Sequence, residues 1–275
     1  MSFQPNHLID AVSNDAGHEE AAARVTALFK ERWLRFYVRR KLRGDPIYSV
    51  AFELLRGSER PLIDLGCGVG LLPFYLRERN FRNPITGIDR DGRKIARAKS
   101  AARHRYQEIV FTEQDVGNPI AARGDVAIFD LLHYLSPKDQ VRLLERVSAR
   151  LAPGERLIIR DCPDDGNARF WLTDLAERFS QSTTWNIKTP LHFPPRDRIL
   201  SAFHPDEFSH SVEPLWGRTP FNNHLFIFQR RSVATVPEKA RHSDSRRWLG
   251  GEAWLQDSAD GSRVRSEDDD LHAGE

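Results

Sequence analysis

The sequence has little cysteine, little net charge and no long apolar run, and each shortage argues against a class of protein. The two cysteines, Cys67 and Cys162, stand outside any CxxC or Cys/His cluster. Their isolation argues against a metal site and against a secreted disulfide framework, and it suits a reducing compartment. A net charge of +2 at pH 7 provides no global basic field for nucleic acid.

The chain also lacks the apolar segments that target a protein to a membrane. The first residues, MSFQPNHLIDAVSNDAG, contain no apolar core of signal-peptide length. No run approaches the ~20 residues that a bilayer-spanning helix needs. We therefore expect a cytoplasmic protein. Its 275 residues are enough for one sizeable α/β domain with extensions.

The N-terminal region predicts helices. Between residues 19 and 43, apolar side chains recur at steps of three and four, which predicts one helix with a buried stripe and a solvated basic face. The stripe consists of Val25, Leu28, Phe29, Trp33, Phe36 and Tyr37. In a second interpretation, the basic stretch 30–43 is a lid for an acidic or carrier-bound substrate, or it binds an anionic membrane surface. Gly44 ends this helix, and Asp45-Pro46 begins another.

Beyond this region, short apolar runs alternate with segments of helical length. The predicted strands cover residues 61–65, 84–89, 109–112, 125–131, 156–160, 210–216 and 223–230. The predicted helices cover 71–79, 92–103, 168–179 and the stretch after the capping box at Ser136-Pro137. This alternation predicts a Rossmann-like α/β fold, with a doubly wound and mostly parallel seven-stranded sheet.

Composition divides the chain into three parts. We expect an N-terminal helical extension over residues 1–45 and the α/β domain over 46–231. Residues 232–275 are rich in Ser, Gly, Asp, Glu and Arg, which predicts a disordered tail. Within the domain, residues 183–204 have no clear period, and we interpret them as a lid over the active site.

The most informative segment is the run Asp64-Leu65-Gly66-Cys67-Gly68-Val69-Gly70. Glycine permits positive φ and close approach of the backbone to a ligand, and the helix that follows directs its first amides toward the same place. A dinucleotide fingerprint reads G-x-G-x-x-G, whereas this loop is G-x-G-x-G after an acid. The loop resembles the first motif of the class I S-adenosylmethionine (SAM)-dependent methyltransferases. SAM carries an ammonium and a sulfonium, so an acid in the loop suits it.

Further segments resemble the later motifs of that family, in order. Asp89, followed by Arg90, ends the second strand about 20 residues after the glycines, where Rossmann-type sites place the ribose ligand. Asp115 and Val116 follow the third strand, where the family contacts adenine through an acid and a backbone amide. The fourth motif begins at Asp130.

The turn at residues 151–155 resembles the family's L-x-P-G-G turn, with Glu155 in place of the second glycine. The resemblance covers roughly residues 45–231. It implies SAM as the cofactor and a cofactor site built from Asp64, Gly66, Cys67, Gly68, Gly70, Asp89, Arg90, Asp115, Val116 and Asp130.

Three residues are candidates for catalysis. His133 follows the fourth strand, and an unperturbed imidazole titrates near neutrality, which makes it the candidate general base. The competing interpretation is a histidine that packs or hydrogen-bonds. Asp161, at the end of the fifth strand, is expected to orient the substrate or act as the base, and Tyr134 lies at the same rim.

We expect methyl transfer to a small organic acceptor such as a polyketide-, pigment- or lipid-like metabolite. Asp45-Pro46, Arg160-Asp161 and residues 219–223 resemble bacterial small-molecule methyltransferases. Three alternatives stay open: an RNA methyltransferase, a nicotinamide-dependent oxidoreductase, and a non-catalytic scaffold acting through protein contacts. The near-neutral charge argues against RNA, the glycine spacing against nicotinamide, and the intact glycines against a scaffold.

Overall fold

A computed structural model describes residues 16–103, 105–106, 108–182, 189–217 and 219–232. The helices are α1 (Ala16–Ala27), α2 (Arg32–Gly44), α3 (Ile47–Leu55), α4 (Leu71–Glu78), α5 (Gly92–Ala102), α6 (Pro137–Arg150), α7 (Ala168–Ser182) and α8 (Arg196–Leu200). The strands are β1 (Leu62–Leu65), β2 (Ile85–Asp89), β3 (Ile109–Glu113), β4 (Asp125–Phe129), β5 (Arg156–Asp161), β6 (Phe208–Pro214) and β7 (His224–Arg230).

The strands form one seven-stranded sheet in the order β3-β2-β1-β4-β5-β7-β6. All neighbours pair in parallel except β7, which runs antiparallel to both β5 and β6. The predicted Rossmann-like, mostly parallel sheet is therefore confirmed. Strand order reverses between β1 and β4, and in such sheets ligands bind beyond the carboxyl ends of the strands at this switch point.

Helices cover both faces of the sheet. One apolar core packs the first five helices, α1 through α5, against one face of the sheet. The other packs α6 and α8 against the opposite face. All four residues of β1 are buried because the strand lies between these two layers. The predicted caps are present: Asp45 accepts a hydrogen bond from the Ile47 amide at 3.1 Å, and Ser136 accepts one from the Asp139 amide at 3.2 Å.

The prediction of a single helix over residues 19–43 was wrong. The structure has two helices, α1 and α2, separated at residues 28–31. The buried positions explain the break: Val25 and Phe29 are four apart, and so are Leu34 and Val38, but five residues separate Phe29 from Leu34. A continuous helix would rotate the second set away from the core, so the chain turns between the two sets.

This phase shift also corrects the predicted apolar stripe. Its first half is buried or partly buried, but Trp33, Phe36 and Tyr37 are exposed. The buried face of α2 is formed instead by Leu34, Val38 and Leu42.

Two further predictions lie partly outside the described residues. In the predicted lid over 183–204, residues 183–188 are not described. The described part of this segment contains the short helix α8, which the sequence did not indicate. The predicted tail lies outside the described residues from residue 233 onward. In the part of the chain that the structure describes, no helix is long and apolar enough to cross a membrane.

Candidate active site

The glycine loop connects β1 to α4 with three left-handed residues. Gly66, Gly68 and Gly70 have φ angles of 79°, 56° and 85°. The amide of Gly66 donates a hydrogen bond to the Ile88 carbonyl at 2.8 Å, and the Gly68 amide donates one to Asp89 Oδ2 at 2.9 Å. The loop and the end of β2 are thus held together, which brings the acid of the second motif to the glycines of the first.

Gly68 and Gly70 have different structural roles within the loop. A Cβ at Gly68 would meet no atom within 4 Å, so this backbone stands beside open space. A Cβ at Gly70 would lie 2.7 Å from the ring of Phe111. Gly70 therefore permits close packing between the start of α4 and β3.

A cavity of about 290 Å³ opens at the carboxyl ends of the central strands. Its lining includes nine of the ten residues that the sequence assigned to the cofactor: Asp64, Gly66, Cys67, Gly68, Asp89, Arg90, Asp115, Val116 and Asp130. Gly70 is absent from the lining, because it faces the aromatic rings behind the loop. The chain thus brings residues from four separate motifs to a single cavity.

Asp64 is a nearly buried carboxyl at the base of this cavity. Burial, with a smaller contribution from the Asp89 carboxylate, raises the pKa of Asp64 to about 8. Its side chain makes no hydrogen bond or ion pair with any described residue. A buried carboxyl without a counter-charge favours a cationic ligand, because the cation would compensate its charged form.

Asp130 is fixed in a cluster of four charges. It pairs with Arg160 of β5 and with Lys41 of α2, the latter at 3.0 Å. Asp45 closes the cluster by pairing with Arg160 at 2.5 Å and with Lys41 at 3.0 Å. Asp130 has a φ of 51°, a left-handed conformation that its two cationic partners hold in place.

The charge state of Asp130 follows from these contacts. Burial alone would raise its pKa, but Arg160 and Lys41 outweigh burial and lower the pKa to about 2. Asp130 is therefore an anion at neutral pH and a poor proton acceptor. The cluster also ties the N-terminal helix α2 to the ends of β4 and β5.

The cavity lining also includes residues that the sequence did not assign to the cofactor or to catalysis. Five of these have polar side chains and come from α2, α3, α7 and the segment before α8: Tyr37, Lys41, Tyr48, Glu177 and Thr189. Tyr37 and Lys41 are four residues apart, so they lie on one face of α2. The basic stretch 30–43 has a substrate lid as its second interpretation, but the spacing did not single out Tyr37 and Lys41.

Tyr48 has a buried phenol with an unused donor. Burial raises its pKa well above the usual range, and the charges of Lys41 and Asp45 also act on it. Its ring packs against Tyr75, and its hydroxyl has no hydrogen bond to any described residue. The hydroxyl is thus a protonated donor at the wall of the cavity.

His133 and Asp161 are not in the cavity lining. His133 Nδ1 lies 2.8 Å from Asp161 Oδ1, and both side chains are buried. Burial alone would lower the pKa of His133, but Asp161 outweighs it and raises the pKa to about 9. Asp161 also accepts a hydrogen bond from the Leu132 amide at 2.9 Å. The other ring nitrogen of His133, Nε2, is buried and has no hydrogen-bond partner among the described residues.

Tyr134 does line the cavity. Its hydroxyl donates a hydrogen bond to Glu177 Oε2 at 2.8 Å, which connects the turn after β4 to α7. Burial and the Glu177 carboxylate both raise the pKa of Tyr134, so its phenol is protonated at neutral pH.

Comparison with known proteins gives a consistent result. Residues 57–200, which are 144 of the 275 residues, match the family described as "Methyltransferase domain". The trans-aconitate 2-methyltransferase of Sinorhizobium medicae strain WSM419 is 32% identical over 123 residues. These are 45% of this chain and 46% of that protein, so the match spans about half the length of the relative.

Solved structures of low sequence identity share the fold. The magnesium protoporphyrin IX methyltransferase of Synechocystis PCC 6803 with bound S-adenosylhomocysteine (SAH) gives a TM-score of 0.55 at 15% identity, over 82% of this chain and 100% of that one. The N-methyltransferase NodS of Bradyrhizobium japonicum WM9, in complex with SAH, gives 0.52 at 15% identity, over 79% and 100%. With the family match over residues 57–200, the chain belongs to the class I SAM-dependent methyltransferases.

Proposed function

We propose that this chain transfers the methyl group of SAM to a carboxylate oxygen of a small organic acceptor. The observation that carries the proposal is the unpartnered hydroxyl of Tyr48 beside Lys41 in the cavity wall. Lys41 has three N–H donors, and two are directed to Asp45 and Asp130. The wall thus offers donors that suit an anionic oxygen.

The cavity fits SAM on the opposite side. Asp64 provides a buried carboxyl for a cationic group, and Asp89 and Asp115 are spaced along the strand ends as the family's ribose and adenine ligands are. The Gly68 backbone leaves room for close approach. When bound, SAM would supply the methyl group of its sulfonium: the carboxylate oxygen would bond to the methyl carbon as the S–C bond breaks, which gives a methyl ester and SAH with a neutral thioether.

A carboxylate acceptor agrees with the groups that surround it. It is already deprotonated at neutral pH, so its methylation releases no proton and needs no general base. Asp130 is held as an anion, Glu177 accepts the Tyr134 hydroxyl, and His133 lies off the lining. The relative in Sinorhizobium is named for trans-aconitate, which is itself a carboxylic acid.

In this proposal His133 and Asp161 are positioning residues. Asp161 binds the Leu132 amide and the His133 ring, and these residues form the turn that carries Tyr134 into the cavity. The pair orients the turn after β4 and takes no proton from the acceptor. Positioning of this kind supplies rate enhancement through the alignment of the reacting atoms.

The test combines binding and turnover. Calorimetry with SAH establishes cofactor binding, and methyl transfer from labelled SAM is then measured with a panel of di- and tricarboxylic acids and their amides. We expect activity with the acids alone and, at saturating SAM, where Asp64 is already ionised, a kcat/KM for the acid that is flat between pH 6.5 and 8.5. Tyr48→Phe should raise the KM for the acid roughly 10-fold or more, with the Kd for SAH unchanged, because it removes a hydrogen bond to a charged group.

Tyr106→Phe is the matched control, since Tyr106 is also a buried tyrosine but does not line this cavity. It should leave both constants unchanged. A rate that rises with pH and is lost in Glu177→Gln would contradict the proposal, because it would indicate a hydroxyl acceptor with Glu177 as the base.

A further inference from the structure

Two helices beside the cavity expose large apolar side chains. On α2, Phe36 is 68% exposed and Trp33 lies one turn away on the same face. On α7, Leu175 is 66% exposed, with Trp171 and Leu172 exposed beside it. Such side chains rarely cluster without a partner on a protein surface, because their burial from water is favourable.

Both helices reach the same cavity. Tyr37, next to Phe36, and Glu177, two residues after Leu175, are both part of its lining. The two helices also approach each other: after burial, the Glu177 carboxylate of α7 is among the groups that raise the pKa of Tyr37 on α2. On α2 the exposed rings therefore lie beside a residue of the cavity lining, whereas on α7 the exposed apolar side chains occupy the outer face of the helix, opposite to Glu177.

Positive charge accompanies the apolar side chains on α2. Four of its arginines are exposed or nearly so and form no ion pair with any residue that the structure describes: Arg32, Arg35, Arg39 and Arg40. The helix contains no acidic residue. By contrast, Arg43 pairs with Glu19 of α1 at 2.5 Å. The unpaired guanidinium groups favour an anionic partner.

We propose that these side chains form a surface that binds an anionic lipid membrane. We call it the rim surface and define it as Trp33, Phe36, Trp171, Leu172 and Leu175 with the four arginines. A helix with Trp and Phe among arginines suits the membrane interface, where rings enter the acyl boundary and guanidinium groups meet lipid phosphates.

A lipid surface explains the two halves of the rim surface better than an acidic protein does. The arginines come from α2, whereas three of the exposed apolar side chains come from α7. A protein partner would need matched pockets for each ring and carboxylates placed opposite each arginine. A bilayer presents an apolar layer and diffuse negative charge together, and it requires no such matching.

The rim surface also has a consequence for the acceptor. Because the α2 part of the rim surface is on the helix that contributes Tyr37 and Lys41 to the cavity, a bound membrane would deliver an amphiphilic acid with its carboxylate toward Tyr48 and Lys41 and its apolar part in the lipid. This statement about the acceptor rests on the proposed function. Membrane binding itself does not, since it is measured without SAM and without methyl transfer.

The test is sedimentation of the full chain with vesicles of phosphatidylcholine alone or mixed with phosphatidylglycerol, at low and high salt. We expect binding to the mixed vesicles that weakens with salt, and little binding to the neutral ones. Arg35→Gln/Arg39→Gln should lower the partition coefficient roughly 10- to 30-fold. Phe36→Ala/Leu175→Ala should lower it roughly 10-fold through lost apolar burial.

Two matched controls lie outside the rim surface. Arg82→Gln/Arg103→Gln removes two exposed charges, and Val110→Ala shortens an apolar side chain that is also well exposed. Both should bind like the wild type, and all variants should keep the wild-type Tm and Kd for SAH. The proposal is overturned if mixed vesicles are not bound, or if the controls lose binding as much as the rim variants. It is also overturned if the same substitutions abolish only a dimer or a complex with an acidic protein.

Discussion

At the scale of single residues, two buried titratable groups differ in whether the protein compensates their charge. Asp64 is buried without a counter-charge, and its pKa rises to about 8. His133 is buried with Asp161, and its pKa rises to about 9 because the carboxylate stabilises the imidazolium. Asp161 thus already compensates the charge of His133 through Nδ1, although Nε2 has no hydrogen-bond partner among the described residues, whereas Asp64 is compensated only when a cation arrives. This difference favours a structural role for His133 and a ligand-binding role for Asp64.

Asp64→Asn is therefore expected to stabilise the free protein. A carboxyl whose folded pKa lies above its unfolded value destabilises the fold as pH rises from about 4 to about 8. Removing it should raise the unfolding free energy by about 1–3 kcal/mol near neutral pH, with a smaller gain at pH 5. Thermal unfolding across this pH range measures the gain, and the exposed Asp115→Asn should leave Tm unchanged.

The same substitution should weaken SAH binding by roughly 30-fold or more, since the amide has no charge to offer an ammonium. In the wild type, binding below pH 8 should release a proton from Asp64. Calorimetry in buffers of different ionisation enthalpy detects this release. An Asp64→Asn variant that is less stable than the wild type at pH 8 would show that the carboxylate is paired in the free protein.

At the scale of elements, the loop between β1 and α4 depends on what lies behind each glycine. Gly68 and Gly70 share a left-handed backbone, but only Gly70 packs against a neighbouring ring. The motif spacing predicted the turn. It did not distinguish a glycine that faces ligand from one that faces the core, because that depends on where Phe111 of β3 lies.

Gly70→Ala and Gly68→Ala form a matched pair that separates strain from packing. Both introduce a side chain at positive φ, which costs roughly 1 kcal/mol. Gly70→Ala also forces Cβ against Phe111, so it should cost about 2–4 kcal/mol in all, and Gly68→Ala about 1 kcal/mol. Denaturant unfolding measures both. Equal losses would mean that the Phe111 ring moves aside freely.

At the scale of the whole molecule, the N-terminal helices take part in the main core. Leu34, Val38 and Leu42 of α2 are fully buried, and they belong to the same apolar cluster as Phe74 and Tyr75 of α4. The division at residue 45 into an extension and a domain remains our proposal about sequence organisation. The packing indicates that both parts fold as one cooperative unit.

Removal of residues 1–44 should therefore prevent cooperative folding, because it uncovers the apolar face of α4 and removes Lys41 from Asp130. Circular dichroism and thermal unfolding measure the loss. A chain that ends at Ser232 is the control, and we expect it to keep the wild-type Tm because the composition of the remainder predicts no core. A truncated protein with a sharp transition near that of the full chain would refute the prediction.

Hydrophobic period and turn chemistry are local properties, so the seven strands, the sheet class and the loop at residues 64–70 were predictable from the sequence alone. Tertiary structure alone decided that Lys41 and Tyr48 border the cavity while His133 lies off its lining. Those positions depend on how α2 and α3 pack across the sheet, and contacts so distant in sequence leave no local pattern. The phase shift between Phe29 and Leu34 shows where prediction from local pattern fails. The five-residue step between these two buried residues separates α2 from α1, and it leaves the rings of Trp33 and Phe36 exposed.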